Sequence, residues 1–359
     1  MSKQQIAAVA MSGGVDSSVA ALLLKKRGFS VIGLSMRLWG ADGGADDGCV
    51  SGSSCCGVDD INDARAVAAQ LDIPFYVINF KNEFKSLVVD PFIAEYLDGR
   101  TPSPCIVCNR KLKFGLLLRR ARELGADIFA TGHYAQVVRK DGVSKLLAGV
   151  DGSRDQSYFL FAMNQTDLSM VDFPVGVLPK SEVRRLATEA GLKVARKGDS
   201  QEVCFVPGND YAAFIGESSG NVDRSGFIVD TSGKVLGRHK GYYHYTVGQR
   251  RGLGVAVGEP RYVVRVDPVS GKVVVGKNAD LMASGLKASG ASWIGGEPVP
   301  DKDYTVRIRS THRGEKARVM TEGEKTFRVE FENPVRAVAP GQAAVVYDGG
   351  EVLGGGWIS

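Results

Sequence analysis

Residues 6–26, IAAVAMSGGVDSSVAALLLKK, constrain the fold of this chain more than any other stretch. The unbroken apolar run over 6–11 reads as a strand buried on both faces, the form strands take in parallel sheets. Ser12, Gly13 and Gly14 follow as a turn without bulky side chains, and residues 19–24 continue as a helix pressed on the sheet. A strand that runs through such a turn into a helix gathers unpaired N–H groups and the positive end of the helix dipole at one point, which suits an anion. Gly13 and Gly14 let backbone approach that anion closely, and Ser12, Ser17 and Ser18 add hydroxyl donors. The plainer reading of the same residues is a helix start capped by Asp16 or Ser17. The motif is not GxxxxGK[ST], because the first lysine after the turn is Lys25, well inside the helix; this disfavours kinase and GTPase chemistry.

A chain of 359 residues exceeds the usual single core, so two or three domains are expected. It has no run of about 18 uncharged apolar residues, and MSKQQIAAVA carries no signal-like apolar segment before the first strand, so a cytoplasmic protein with no membrane partner is expected. The net charge of +5 does not by itself indicate nucleic acid, yet Arg110, Lys111 and Lys113, Arg184 and Arg185, and Arg307, Arg309 and Arg313 form local basic clusters. The six cysteines, at 49, 55, 56, 105, 108 and 204, are too few for a disulfide scaffold in a chain of this size and point to reactive or metal-binding thiols.

Along the chain, strand and helix alternate: a second strand over 30–36, a long Gly-, Asp-, Ser- and Cys-rich loop over 39–57, a helix over 59–71, a third strand over 74–80, and a helix over 83–97 interrupted near Pro91. In GRTPSPCIVCNRKLKF (99–114) the prolines predict an extended turn that sets Cys105 and Cys108 just before a basic helix, where Arg110 and Lys111 lower a thiol pKa. A strand over 127–130 ends at Thr131, Gly132, His133 and Tyr134, on the side of a doubly wound sheet where ligands sit. Hairpin-like pieces follow, with turns at Asp141-Gly142 and Asp151-Gly152, then an amphipathic helix over 181–190 and the segment KGDSQEVCFVP with its isolated Cys204. Read alone, Cys204 is equally a small buried hydrophobe. Beyond residue 208, strands over 227–230, 235–237, 262–266 and 272–275 suggest a small β-rich domain. Strands around Trp293 and over 305–310, 317–320, 326–331, 343–348 and 352–358 suggest a compact barrel.

SGGVDSS looks like the pyrophosphate loop of enzymes that cleave ATP between its α and β phosphates and adenylate a substrate. Taken with the Cys55-Cys56 pair before an acidic helix, GRTPSPCIVCNRKLKF, ATGHYA, RDQSYFL, GDSQEVCF, HKGYYHYTVGQRRGLG and APGQAAV, in that order over nearly the whole chain, it resembles the tRNA-specific 2-thiouridylases. The resemblance implies an α/β fold: a doubly wound parallel-sheet ATP-pyrophosphatase domain of the adenine nucleotide alpha hydrolase kind (1–207), a small central β-rich domain (208–279), and a C-terminal β-barrel that grips tRNA (280–359). It implies ATP and Mg2+ as cofactors, adenylation of O2 of a wobble uridine, and a monomer whose partners are tRNAs of the Lys, Glu and Gln type. A sulfur-relay protein or cysteine desulfurase would be the donor.

Carried over residue by residue, the resemblance gives Cys204 as the persulfide carrier and Cys108 as the nucleophilic or resolving thiol. Ala10, Met11, Ser12, Gly13, Gly14, Val15, Asp16 and Ser17 would hold the triphosphate, with Met36 and Gly132 bordering adenine and ribose. Ser103, Pro104, Cys105, Arg154, Asp155, Gln156, Arg309 and Ser310 would contact tRNA, with His133 and Gln342 near the target base. Many family members have Asp where this chain has Cys105, so the block becomes a CxxC. With Cys204 it offers three ligands for an iron-sulfur cluster, an alternative to the persulfide scheme; zinc with Cys55 or Cys56 as fourth ligand ranks below that. Two other readings of the chain stand beside the thiolase: an amide-forming ligase using the same loop, and a non-catalytic tRNA-binding or metal-storage protein.

Overall fold

The computed structural model describes residues 4–38, 57–199, 203–220, 222–255 and 258–359. Cys49, Cys55 and Cys56, and most of the 39–57 loop, lie outside the described residues. The chain divides into two compact units, the first formed by Met1–Val89, Cys105–Asn209 and Gly350–Val352, the second by Asp90–Pro104, Asp210–Gly349 and Leu353–Ser359.

The first unit opens with β1 (Ile6–Ala10), α1 (Val15–Lys26), β2 (Ser30–Arg37), α2 (Val58–Gln70) and β3 (Phe75–Asn79), as the switch between apolar runs and helical spacing predicts. The helix expected over 83–97 is α3 (Lys81–Phe84), a π-helical segment (Lys85–Val89) and α4 (Asp90–Leu97), which belongs to the second unit. Proline lacks an N–H and crowds the carbonyl four residues back, so the wider π turn immediately before Pro91 absorbs the break. α5 (Pro104–Cys108), a second π-helical segment (Asn109–Leu117) and α6 (Leu118–Glu123) follow as one helical run. Cys105 and Cys108 therefore lie inside its first turns and not before it. Pro104 accounts for the earlier start, since its fixed φ and missing N–H are tolerated at the first helical position.

β4 (Ile128–Thr131) leads to a hairpin of β5 (Ala135–Lys140) and β6 (Val143–Ala148), then α7 (Gln165–Leu168), β7 (Val171–Asp172) and α8 (Lys180–Glu189). At the hairpin turn Asp141 and Gly142 have φ of 51° and 76°, the left-handed pair that a two-residue connection between twisted strands needs.

The main sheet has the order β3-β2-β1-β4-β7, every pair parallel. Chain direction across the sheet reverses at β1: β2 and β3 build outward on one side, β4 and β7 on the other. Such a switch point leaves a crevice beyond the C-terminal ends of the two diverging strands. Small residues let α1 lie close to the sheet, with Ala7, Val9, Val19, Ala20, Ala21 and Leu24 wholly buried in a shared core.

In the second unit α9 (Tyr211–Ser218) precedes β8 (Gly226–Asp230), β9 (Val235–His239), β10 (Tyr262–Asp267) and β11 (Lys272–Gly276), which form a sheet of order β10-β11-β8-β9. The six strands β12 (Met282–Ser292), β13 (Asp303–Arg307), β14 (Glu315–Thr321), β15 (Thr326–Arg336), β16 (Ala343–Asp348) and β17 (Glu351–Ile358) run in the order β12-β15-β14-β13-β16-β17. Pairing of Ala288 with Ile358 and Ser289 with Trp357 closes them into a barrel. Alternate side chains such as Val306, Val319, Phe327, Val329 and Val346 fill it. The sequence reading found only the end of β12 near Trp293. MASGLKASGAS is small and polar, with little strand preference of its own, and holds its form through pairing with β15 and β17. The strand expected over 305–310 stops at Arg307, leaving Arg309 and Ser310 in the following turn.

No helix among the described residues is long and apolar enough to cross a membrane.

Candidate active site

At the switch point the chain leaves β1 through Met11 and Ser12, passes Gly13, and enters α1 at Val15 with Gly14 as its extended N-cap. Ser12 N–H donates to Ser17 Oγ (3.2 Å), and the hydroxyls of Ser17 and Ser18 donate to the Gly14 carbonyl (3.2 and 2.8 Å), which ties the turn to the first helical turn. Gly13 has φ 72°, and a Cβ there would stand 2.1 Å from the Asp60 carbonyl oxygen, so α2 packs directly on the loop. Gly132, at the end of β4, approaches just as closely: a Cβ there would lie 2.5 Å from Ser17 N. Both glycines are needed for backbone to meet backbone.

A cleft of about 280 Å³ opens here, at the small end of the range for ligand sites. Its wall includes Ala10, Met11, Ser12, Gly14, Val15, Asp16 and Ser17 from the loop and α1, with Met36, Gly132, His133, Arg154 and Gln156. Of the residues carried over for nucleotide, all but Gly13 lie on this wall, and Gly13 is buried between its neighbours and α2. Asp155 is turned to its own loop, accepting from Gly149 N (3.0 Å), Ser157 N (3.1 Å) and Ser157 Oγ (3.0 Å). Gln156 Oε1 accepts from Tyr134 N at 2.9 Å and so anchors the strand exit beside His133.

Ser103, Pro104, Arg309, Ser310 and Gln342 belong to the second unit. Ser103 is buried, Arg309 donates to the Arg336 carbonyl (3.0 Å), and Ser310 is exposed. Gln342 Nε2 donates to the carbonyls of Thr101 (2.9 Å) and Pro102 (3.3 Å), which fixes the start of the Pro104 turn against β16 and its neighbours.

Cys105 is exposed, Cys108 and Cys204 are part-buried, and none of the three is on the cleft wall. The iron-sulfur alternative required these three thiols to converge. Among the described residues no group of three Cys, His, Asp or Glu side chains is placed to hold a metal ion, and no disulfide joins Cys108 to Cys204. The CxxC lies along α5, and its first thiol faces outward.

A cluster of charge that the sequence reading passed over also lines the cleft. Lys180, only 8% exposed, sends Nζ to both carboxylate oxygens of Asp16 (2.8 Å each) and to Asp199 Oδ1 (2.7 Å). Tyr134 OH donates to Asp16 Oδ1 (2.8 Å), and burial followed by the Asp16 charge pushes its pKa far above the usual phenol value, so it stays a donor. Asp199 also meets Arg154 (2.9 Å) and Arg184 (3.0 Å). Burial would raise its pKa, but the Lys180 hydrogen bond and the three cations prevail and hold it below the ordinary carboxylate value. Lys197 bridges Asp60 and Asp63. One local signal was available: Lys180 opens α8, where the helix dipole disfavours a cation unless a carboxylate compensates it.

His133 is packed against Phe114 and Phe173, each ring centroid 5.9 Å away, with Nδ1 2.6 Å from Thr131 Oγ1. That oxygen also accepts from the His133 amide (3.4 Å). Burial, aided by the Lys113 charge, holds the imidazole neutral well below its ordinary pKa. The other histidines of the chain, His239, His244 and His312, are likewise lowered chiefly by burial. All four thus take up protons more readily unfolded than folded. The stability they allow is fully present above about pH 6.5 and is lost as pH falls below it. The thermal midpoint is expected to drop between pH 7 and pH 5.5, with a shallower drop in His133→Gln; a midpoint flat over that interval would contradict the assignment.

Comparison with known proteins bears on the whole chain. Residues 5–208 match the family described as tRNA methyl transferase HUP domain, residues 213–277 its PRC-barrel domain, and residues 283–358 the aminomethyltransferase beta-barrel domain. The tRNA-specific 2-thiouridylase MnmA of Geobacter metallireducens is 51% identical over 98% of this chain and 95% of its own length. Its namesakes in Geotalea uraniireducens (51%, covering 99% and 95%) and Lachnoclostridium phytofermentans (47%, covering 98% of each) match as fully. A parallel sheet with a phosphate-type loop at its switch point, followed by a small sheet and a closed barrel, in a chain that aligns with these proteins almost end to end, belongs to the tRNA-specific 2-thiouridylase family.

Proposed function

We propose that this chain is an ATP-dependent thiolase that replaces O2 of a wobble uridine in tRNA with sulfur, releasing AMP and pyrophosphate. The observation that carries this reading is the cleft beyond β1 and β4, walled by an anion-binding loop, in a chain half identical to proteins bearing that name. The proposal includes the three-part division at residues 207 and 279.

In this reading the phosphates of ATP rest on residues 10–17, where the first-turn N–H groups of α1 have no partner within the helix, and the adenosine lies against Met36 and Gly132. Mg2+ is usually held by one or two carboxylates plus substrate phosphates; of the wall carboxylates, Asp16 and Asp60 would take that role by sharing oxygens now paired with Lys180 and Lys197. When bound, the ion offsets the charge of the phosphate chain.

Uridine O2 attacks the α-phosphorus and the bond to the bridging oxygen breaks, so pyrophosphate leaves and C2 gains AMP as a leaving group. The terminal sulfur of a Cys204 persulfide attacks C2 and AMP departs with its electron pair. The Cys108 thiolate then attacks Cys204 Sγ, and the persulfide bond breaks toward the sulfur on C2, which becomes the thiocarbonyl. Cys108 and Cys204 are left as a disulfide, which a thiol reductant reopens; it requires their Cα atoms within about 6 Å. Chain geometry supports such a meeting at the cleft. Cys108 precedes the wall residue Lys113 by five residues of the same helical run, a little more than one turn. Cys204 follows the wall residue Asp199 by five residues, a reach of up to about 17 Å.

His133, held neutral on the wall, suits a contact to the base. Gln342, with Ser103, Pro104, Cys105, Arg154, Asp155, Gln156, Arg309 and Ser310, completes the proposed tRNA contacts. Incubation with ATP, an unmodified tRNA and a persulfide-loaded cysteine desulfurase or relay protein, followed by nucleoside mass spectrometry, tests the reading. The expected product is 2-thiouridine at the wobble position with one AMP formed per sulfur. AMP formation without thiolated nucleoside, or on a small amino acid in place of tRNA, would overturn it.

A further inference from the structure

Cys105 and Cys108 stand three residues apart in α5, and neither is in a disulfide among the described residues. Their surroundings differ. Cys105 is exposed, whereas Cys108 is part-buried and its neighbour Asn109 is buried. Side chains three apart on a helix are neighbours, with Cβ atoms about 5–6 Å from each other. A disulfide asks for about 3.5–4.5 Å between them, so the turn has to tighten by about 1–2 Å. This turn does so at small cost. It is the first of its helical run, where N–H groups have no partner within the helix, and the run changes to π-helical bonding at Asn109, just past Cys108.

The proposed reaction ends with Cys108 and Cys204 joined, and reopening that bond raises a chemical conflict. Thiolate attack on a disulfide and thiolate attack on a persulfide are the same substitution at a divalent sulfur. A reductant brought to Cys204 would strip the next sulfur from it as readily as it reopened the bond. The cycle therefore runs best if the reductant acts at a sulfur away from Cys204. The exposed thiol of Cys105, one helical turn from Cys108, is such a place.

We propose that Cys105 is a second resolving thiol, which takes over the disulfide from Cys204 and presents it to solvent. The Cys105 thiolate attacks Cys108 Sγ, the Cys108–Cys204 bond breaks, and Cys204 leaves as a thiolate with the electron pair, ready for a new sulfur. A dithiol reductant then supplies two electrons and two protons to the Cys105–Cys108 disulfide and becomes a disulfide itself. This rests on the thiolase reading and adds the step that closes its cycle. Cys105 is among the proposed tRNA contacts, so the exchange follows departure of the product. A bond within one helical turn ties that turn only to itself and places no constraint on Cys204.

Disulfide mapping of the full chain tests this. Trypsin leaves Cys105 and Cys108 in one peptide, 101–110, and Cys204 in another, 198–224. Closure of the first pair therefore gives a single peptide short of two hydrogens, and a Cys108–Cys204 bond gives a cross-linked pair. After reaction with ATP, tRNA and a persulfide-loaded donor, without added reductant, the chain is quenched in acid, alkylated and digested. The closed 101–110 peptide is expected to predominate, with Cys204 alkylated. In Cys105→Ser the cross-linked pair, counted per sulfur delivered so that any change in tRNA affinity cancels, is expected to rise about ten-fold or more. A predominant cross-linked pair in the unaltered chain, or equal amounts in both, overturns the proposal. A second measurement needs neither tRNA nor sulfur: equilibration of the unaltered chain in graded glutathione buffers is expected to close the 101–110 peptide. Glutathione adducts alone on Cys105, at every ratio, overturn the proposal even if the serine variant fails to fold. Absence of thiolated nucleoside from the unaltered chain would instead bring down the thiolase reading and the exchange with it, while the glutathione result would still show whether the two thiols pair.

Discussion

Cys204→Ser is expected to abolish transfer of sulfur from a persulfide donor to tRNA while leaving ATP-dependent release of pyrophosphate intact. In the proposed scheme the two half-reactions draw on different parts of the first unit: adenylation would use the loop, α1 and the wall, whereas sulfur delivery would use a thiolate that can carry and surrender a second sulfur. Serine matches cysteine in shape, but its hydroxyl does not form a persulfide, so the loss is of chemistry and not of packing beside buried Phe205. Removing a covalent nucleophile costs on the order of 10³-fold or more in turnover. The measurement is paired: thiolated nucleoside by mass spectrometry and pyrophosphate by a coupled assay. Full thiolation in the serine variant with a protein persulfide donor would refute the scheme, and loss of both activities would show that Cys204 supports the fold.

The second large effect concerns Gly13→Ala. At φ 72° an alanine pays roughly 1–2 kcal/mol for the left-handed conformation alone. Its Cβ would also lie 2.1 Å from the Asp60 carbonyl oxygen and 2.8 Å from the carbonyl carbon, both backbone atoms of α2 that no rotamer change can move. Either the loop or the start of α2 must shift, and a combined loss of about 3–4 kcal/mol is expected. Gly142→Ala provides the scale: its φ of 76° is similar but nothing lies within 4 Å, so only the conformational part, about 1 kcal/mol, remains. Urea unfolding should show a lower midpoint with unchanged slope for both variants and a much larger shift for Gly13→Ala. Equal shifts would mean that α2 does not hold the loop. The same substitution should weaken α,β-methylene-ATP, since the displaced loop no longer aims its N–H groups together.

The contrast between the two glycines shows which information is local. The Asp141-Gly142 turn is legible in two letters, because a tight connection between twisted strands demands left-handed backbone at both. β1, the loop and α1 were legible for a similar reason: an apolar run, small turn residues and a helical repeat each act within a few residues. β16, expected over 343–348, runs from Ala343 to Asp348. Alternating strands and helices before residue 208 and strands with Gly turns beyond it pointed to the sheet, the small β domain and the barrel, and the order of family blocks agreed.

Where the sequence reading fell short, the missing physics was non-local. β12 is a strand because β15 and β17 pair with it, not because of its own residues. The helix holding Cys108 begins four residues before it, since Pro104 suits a first helical position as well as it suits a turn. Arg309 looked like a strand residue by alternation, yet β13 ends two residues earlier.

The amino-acid sequence by itself determined the parallel sheet with its anion loop and the barrel that follows, because apolar periodicity and turn chemistry act over short spans of chain, and its ordered motif blocks carried the resemblance to the family. Only the tertiary structure decided which charges meet at the cleft. Lys180 and Asp16 are 164 positions apart, and an ion pair depends on distance in space, which no local pattern encodes.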